Sequence, residues 1–526
     1  MKNLTKIVAA FVASSLLAGC NKDLLDTIPN DRVSTEIFWK TEKDATLAAN
    51  AVYTYLETAA NYTNWDAMSD IGHVTLQWRE ESIIEKGAYD ATYAKILNEW
   101  SDTYKGIQAA NAFLANVDKV TTTNKALIDR LKGEVRSLRA YFYIKLAILY
   151  GDVPLVTAPM TLEESRKISR TPVTQVWDFI SKELTESAAL LPATTTEKGR
   201  MTKGAALSFN ARALLYAGRY QQAAAAAKQV MDLNVYSLYP AYENLFLYVA
   251  ENNQEIIFDK QQIKDIQNNN IFSLTTPNSV FPQVNSFVPT KQAVDAYRMT
   301  NGKEITDPTS GFDPKNPYAN RDPRLRYSVY VLGSELPNGK MYDSRPGSGT
   351  GDALGNSENS TGTGFNTRKY LNKEDMAQPT NSGINLILMR YAEVLLIYAE
   401  AKIEANELDQ SVLAAINQVR NRADVKMPAV TTLGSQAEMR KLVRNERQVE
   451  LAFEGLRYYD IRRWRIAETV VPGILQGMTY TNSAGELIMV SLPAFVKAFN
   501  KDRDYLWPIP QRERELNPTL TQNPNW

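Results

Sequence analysis

Residues 390–423 read "RYAEVLLIYAEAKIEANELDQSVLAAINQVRNRA". Apolar positions at helical spacing predict a helix over 391–405, a break at Asn406-Glu407, and a second helix over 408–423. A break that short leaves the two helices as antiparallel neighbours. Residues 211–233, "ARALLYAGRYQQAAAAAKQVMDL", repeat the plan with a helix through Ala217, a turn at Gly218-Arg219 and an alanine-rich helix from Tyr220. Looser copies are "EVRSLRAYFYIKLAILYGDVP" (134–154) followed by "TPVTQVWDFISKELTESAALLP" (171–192), and "DATLAANAVYTYLE" (44–57) followed by "WSDTYKGIQAANAFLANV" (100–117). Small residues at helix crossings with large ones between them are what stacked hairpins of the tetratricopeptide type require. The expected fold is mainly α, built from such hairpins.

Residues 239–383 differ in kind. Glycine, proline, asparagine and serine crowd together there with scattered aromatics, and strand-like pieces such as "EIIFD" (255–259) and "RYSVYVL" (326–332) are short. The longest irregular piece is "DSRPGSGTGDALGNSENSTGTGFNTRKY" (343–370), and a loop of that length is either functional or mobile. It is no phosphate or dinucleotide loop, because no strand pattern precedes Gly347 and no helix pattern opens after Gly351.

The one cysteine, Cys20, sits in "LLAGCNKD" (16–23). Before it come Lys2 and Lys6, an apolar run over 7–17, and the small pair Ala18-Gly19, the pattern of a lipoprotein signal. Cleavage would make Cys20 the new N-terminus, and its thiolate is the group that can be lipidated. Several acyl chains, at ~0.8 kcal/mol per buried methylene, hold a protein on a membrane stably. No later segment offers 18 uncharged apolar residues, since even "INLILMRYAEVLLIYAEA" (384–401) contains Arg390, Glu393 and Glu400. Removing Lys2 and Lys6 from 59 basic and 59 acidic residues leaves a chain near neutrality, and nucleic acid is excluded as a partner. With a single cysteine no internal disulfide can form, so stability must come from a large core.

Catalytic chemistry is hard to assemble. His73 is the only histidine, which excludes a metal site with several imidazoles, and nothing like a nucleophile elbow accompanies it. Beside Asp70 it reads as a hydrogen-bonded structural residue. The visible carboxylate pairs are Glu450 with Glu454, and Glu80 with Glu81. A helix places Glu450 and Glu454 on one face, whereas glycoside hydrolysis needs carboxyls on opposite sides of a bond. Ion pairing with Arg447 and Arg457 at helical spacing is the expected role. No catalytic residue, metal or cofactor is expected.

That charged stretch is "NERQVELAFEGLRYYDIRRW" (445–464). Together with Cys20, "GEVRSLRAYFYIKLAILYGDVPLV" (133–156), "MRYAEVLLIYAEA" (389–401) and "YLWPIPQRERELNPTLTQNPNW" (505–526), it resembles the SusD/RagB family of surface nutrient-binding lipoproteins, in order and over residues 20–526. The resemblance implies tetratricopeptide-like hairpins on one side and an irregular ligand-binding side opposite. It implies a lipid anchor at the outer membrane, with the protein facing the cell exterior. The implied partner is a SusC-like TonB-dependent transporter, which the protein caps as a lid and supplies with oligosaccharide. Peptide binding within the same family, or a tetratricopeptide scaffold without small ligand, are the alternatives.

Glu446, Arg447, Glu450, Arg457, Asp460 and Arg462 read as a structural ion-pair network over Phe453, Tyr458, Tyr459 and Trp464, and Trp507-Pro508-Ile509-Pro510 as a segment laid against the core. Ligand binding needs other residues. A sugar presents an apolar C–H face and a fringe of hydroxyls, so its site pairs an exposed aromatic plane with side chains that donate and accept. "NYTNWDAMSDIGHVTLQWREES" (61–82) fits best, and Trp65, Asp66, Asp70, Trp78 and Arg79 are the candidate glycan contacts. Phe287, Tyr342, Phe365 and Arg368 are secondary candidates in the long loops, while Trp100, Trp177 and Trp464 lie at helical spacing and read as core. The chain divides into a signal (1–19), an N-terminal helical part (20–238), a loop-rich ligand side (239–383) and a C-terminal helical part (384–526), forming one unit. A Cys20→Ala variant should leave the washed membrane fraction and appear soluble and folded; persistence on membranes would refute the tether.

Overall fold

Each predicted hairpin forms because an apolar helix stripe has to be hidden against a neighbour. A computed structural model describes residues 38–282, 285–356 and 360–526, so the expected signal and the expected Cys20 tether lie outside the described residues. The helices that carry the architecture are α1 (Glu42–Tyr53), α2 (Ala59–Ala67), α3 (Glu80–Glu85), α4 (Ala94–Asn116), α5 (Lys125–Tyr150), α6 (Val173–Leu190), α7 (Lys203–Tyr216) and α8 (Tyr220–Asp232). They continue with α9 (Tyr391–Glu404), α10 (Gln410–Arg420), α11 (Gln436–Glu450) and α12 (Arg457–Arg463). The packing is serial: α1 and α4 lie on α5, then α5 on α6, α6 on α7, α7 on α8, α8 on α9, and α9 on both α10 and α11. This is the tetratricopeptide-like stack.

The two sharpest hairpins turn by the same device. Gly218 between α7 and α8 and Asn406 between α9 and α10 have φ of +71° and +58°, the left-handed cap that glycine and asparagine adopt most easily. Capping boxes start α1, where Thr41 faces Asp44, and α11, where Ser435 faces Glu438. α9 is buried on every side along Tyr391–Ile403, which makes it the centre of the stack rather than a surface helix.

Residues 233–390 are an excursion between two consecutive layers, since α8 packs directly on α9. Among the described residues, four antiparallel strand pairs brace the fold. β1 (Gly72–Val74) pairs with β3 (Phe287–Pro289), with Gly72 opposite Pro289 and Val74 opposite Phe287. β2 (Ile256–Lys260) pairs with β6 (Leu386–Arg390), and β4 (Val329–Tyr330) with β5 (Asn366–Thr367). β7 (Gly473–Thr481) and β8 (Leu487–Lys497) form a long hairpin that the sequence reading did not anticipate, although "NSAGE" (482–486), with Gly485 at φ +80°, is a usable turn signal.

The helix expected to carry both Glu450 and Glu454 on one face ends at Glu450, with Glu454 in the turn beyond it, and the two carboxylates are paired differently from expectation. Glu450 is buried and meets guanidiniums from three distant segments: Arg324 at 2.9 Å, Arg390 at 2.7 Å and Arg422 at 2.8 Å. Glu454 takes Lys369 and Arg390, each at 2.7 Å. The expected partners go elsewhere, Arg447 to Asp460 and Arg457 to Asp70, both at 2.7 Å. Arg462 makes no ion pair among the described residues and donates to the Tyr458 hydroxyl at 3.0 Å. Helical spacing sets which side chains share a face, but burial brought the distant arginines onto that face first. Burial alone would raise the Glu450 carboxyl, yet Arg422, Arg390 and Arg324 outweigh it and hold it far below the usual carboxylate range. Its stabilisation is therefore present above the unfolded value of about 4.3 and is lost only as pH falls through the depressed folded value. Glu450→Ala would take one counter-charge from each of three buried guanidiniums, leaving Arg324 with Asp322 and Glu446, Arg390 with Glu255 and Glu454, and Arg422 with Glu255, and a loss of about 3 kcal/mol is expected in a urea-unfolding comparison with the wild type.

Candidate ligand-binding site

The stretch predicted to touch ligand splits in two at β1. Its first half is interior. Trp65, on α2, is 2 % exposed and packs among Tyr459, Tyr458 and Trp507 with ring centroids 5.2 to 5.7 Å away. The Lys145 and Lys95 ammoniums stand 5.3 and 5.6 Å from its ring. Asp66 accepts the backbone N–H groups of Gly455 at 3.1 Å and Arg457 at 2.8 Å, and Asp70 takes the Arg457 side chain in a two-pronged pair at 2.8 and 2.7 Å. These three residues fasten α2 to the start of α12 and present no surface to a sugar. Trp507 is laid against the same core, its N–H on the Leu149 carbonyl and its indole on the Tyr458 hydroxyl.

Three loop aromatics are likewise corrected to core. Phe287 packs edge-on against Phe453 at 5.6 Å, Phe365 against Tyr318 at 6.2 Å, and the Tyr342 hydroxyl donates to Asn366 Oδ1 at 2.7 Å. All three are buried, because the glycine- and asparagine-rich loops wrap small cores of their own, one of them made by Phe272, Tyr330, Leu336, Tyr342 and Leu371. His73 lies in β1 with Nδ1 3.2 Å from Glu85, which also pairs with Lys497 at 2.8 Å and accepts the Val74 N–H at 3.3 Å. It is a buried structural group.

The second half is the surface. Trp78 is 75 % exposed, the most exposed aromatic ring among the described residues. It is held on a tied turn rather than a free loop. The Thr75 N–H reaches the Ser286 carbonyl at 3.3 Å, which continues the β1–β3 pairing, and the Ser82 hydroxyl closes the turn on the Gln77 and Arg79 carbonyls at 2.8 Å each. The Arg79 guanidinium lies 5.9 Å from the Trp78 ring and donates to the Ser286 hydroxyl at 3.3 Å. Beside this plane are buried polar atoms with no hydrogen-bond partner among the described residues: Thr75 Oγ1, Gln77 Oε1 and both amide atoms of Asn285. Leaving such groups unmade costs about 1–3 kcal/mol each, so water or a ligand must complete them. The arrangement is an open apolar plane with the Arg79 guanidinium against it and buried, unpartnered polar atoms in the segments that carry it.

Farther along, the Ser279 N–H donates to Asp352 Oδ1 at 3.1 Å, and burial raises the Asp352 carboxyl. This joins segment 278–282 to the long glycine-rich loop. Of the nine candidate contacts, Trp78 and Arg79 are brought together here. Arg368 stands apart, in a groove beside Tyr330, paired with Glu243 and bonded to the Arg326 carbonyl at 2.7 Å. Sequence reasoning missed Thr75 and Asn285, whose approach depends on the β1–β3 pairing between segments more than two hundred residues apart.

A family model described as the SusD family matches residues 254–526, and one described as starch-binding associating with outer membrane matches residues 24–215. A SusD-like protein of Formosa agariphila is 26% identical over 544 residues, covering 99% of this chain and 98% of its own. The crystal structure of a SusD-like carbohydrate binding protein from Bacteroides fragilis matches with a TM-score of 0.84 at 29% identity, over 92% of this chain and 100% of that one. A second SusD-like protein from that species gives 0.82 at 26% identity, over 95% and 100%.

Burial pushes the Asp66 carboxyl up to about 7, against the opposing pull of the Arg457 and Gly455 backbone N–H groups. The unfolded chain releases this proton near 4, so the folded state binds more protons between about 4 and 7 and this group's contribution to stability falls as pH rises through that window. Asp66→Asn should remove that pH dependence. Urea midpoints at pH 5 and pH 7 should therefore show a smaller penalty for the variant at the higher pH.

Proposed function

Because this chain belongs to the SusD family, we propose that it is a cell-surface lipoprotein that binds oligosaccharide or polysaccharide and passes it to a SusC-like TonB-dependent transporter, over which it acts as a lid. The observation that carries the reading is the Trp78 plane with unpartnered donors and acceptors beside it, which is the complement of a sugar ring. The likeness to a carbohydrate binding protein from Bacteroides fragilis supports the ligand class. The match to a model for starch-binding proteins associating with the outer membrane supports the location, as does the Cys20 signal.

The role is binding rather than catalysis. Glu450 and Glu454 are committed to buried arginine and lysine, and Glu81 to Lys95 at 3.4 Å and the Asn64 amide at 2.9 Å, so these carboxylates are not poised across a cleft. Tightly fixed hairpins beneath a solvent-exposed site suit a protein that captures ligand and releases it unchanged.

Affinity electrophoresis and calorimetry against plant, microbial and host glycans provide the test. One glycan class should be retained intact, and Trp78→Ala should weaken it about tenfold, equivalent to ~1.4 kcal/mol. Trp65→Ala should instead lower the melting temperature. Retention by no glycan, or retention indifferent to Trp78→Ala, would overturn the reading.

A further inference from the structure

A second concavity of about 340 Å³ lies between segments 243–249 and 368–374. Phe246, Tyr330 and Leu336 supply apolar wall, and Lys369 and Asn372 supply polar lining. Asn372 is buried, and its Nδ2 has no hydrogen-bond partner among the described residues. Its orientation is fixed, because Oδ1 accepts the Tyr248 backbone N–H at 2.9 Å and a flipped amide would lose that bond. A residue of the groove wall therefore carries a buried amide donor with nothing in the protein to donate to.

The backbone there is strained as well. Tyr370, between Lys369 and Asn372, has φ +67°, a left-handed conformation rare for an aromatic residue. It is pinned by its hydroxyl, which lies 3.0 Å from the Tyr62 hydroxyl and accepts the Ile387 N–H at 3.2 Å. Strain of this kind persists where surrounding structure over-determines it, and it clusters at ligand sites. The rim carries both signs, with Glu243 and Glu335 facing Arg368 and Lys373, which disfavours a strongly charged ligand.

One turn links the groove to segment 278–282. Leu336 and Pro337 line the groove, while the next residue, Asn338, donates from Nδ2 to the Ser279 carbonyl at 2.9 Å. Ser279 is the residue tied to Asp352 beyond it. We propose that this groove is a second saccharide subsite, in which neutral sugar units of a longer chain accept from Asn372 Nδ2 while another part of the chain stacks on Trp78. The proposal rests on the glycan-binding reading above and adds a dependence on chain length.

Hydrogen-exchange mass spectrometry of the purified full-length protein, with maltoheptaose and laminariheptaose in turn, tests it. At least one heptasaccharide should slow exchange in 243–249 and 368–374 as well as in 75–79, and the corresponding trisaccharide should protect only 75–79. Asn372→Asp keeps the oxygen that Tyr248 needs; it should abolish groove protection and weaken heptasaccharide binding several-fold, leaving the trisaccharide unaffected. Should that variant fail to fold, Glu335→Ala with Lys373→Ala, both on the exposed rim, should reduce heptasaccharide affinity alone. Protection confined to 75–79 would overturn the second subsite and leave the first. Protection at neither segment with either sugar would overturn both.

Discussion

Everything in this molecule is organised around one buried carboxylate, Glu450, and the three guanidiniums that meet it. Taking such charges out of water costs several kcal/mol per ion, and only near-complete pairing offsets it. That condition ties together parts of the chain that local structure leaves independent. Arg324 comes from the loop-rich excursion, Arg390 from the end of β6, Arg422 from just beyond α10, and Glu450 from the end of α11. Glu255 of the excursion closes the circuit by pairing with both Arg390 and Arg422. A stack of hairpins could tolerate a wandering insert, but an insert holding counter-charges for the core must return to one place.

The same logic explains how the surface around Trp78 is made firm. α2 is locked to α12 by Asp66 and Asp70, and β1 is locked to β3 from the excursion, so the turn bearing Trp78 stands on two anchored supports. Ligand groups held on rigid elements lose less entropy on binding than groups on free loops. Buried polar atoms without a protein partner occur at several places among the described residues, and those of Thr75, Gln77 and Asn285 near the Trp78 turn and of Asn372 in the groove are among them. Such atoms are where water or ligand completes the structure.

Aromatic residues sort by what the chain lays over them, not by the composition of their neighbourhood. Trp65 and Trp78 share one short stretch, yet the first is sealed by Trp507 and Tyr459 while the second faces solvent. Phe287, Tyr342 and Phe365 sit in glycine- and asparagine-rich sequence and are nevertheless core, because those loops close on one another.

The hairpin stack and its breaks at Gly218 and Asn406 were legible in the chain alone, since helical period and left-handed caps are local properties. The partners of Glu450, the burial of Trp65 beside the exposure of Trp78, and the orphaned amides of Asn285 and Asn372 required the folded molecule. Burial and pairing are relations between segments up to hundreds of residues apart. Coulomb attraction and desolvation act on whatever the fold places within a few ångströms, so no window of sequence contains both members of the pair.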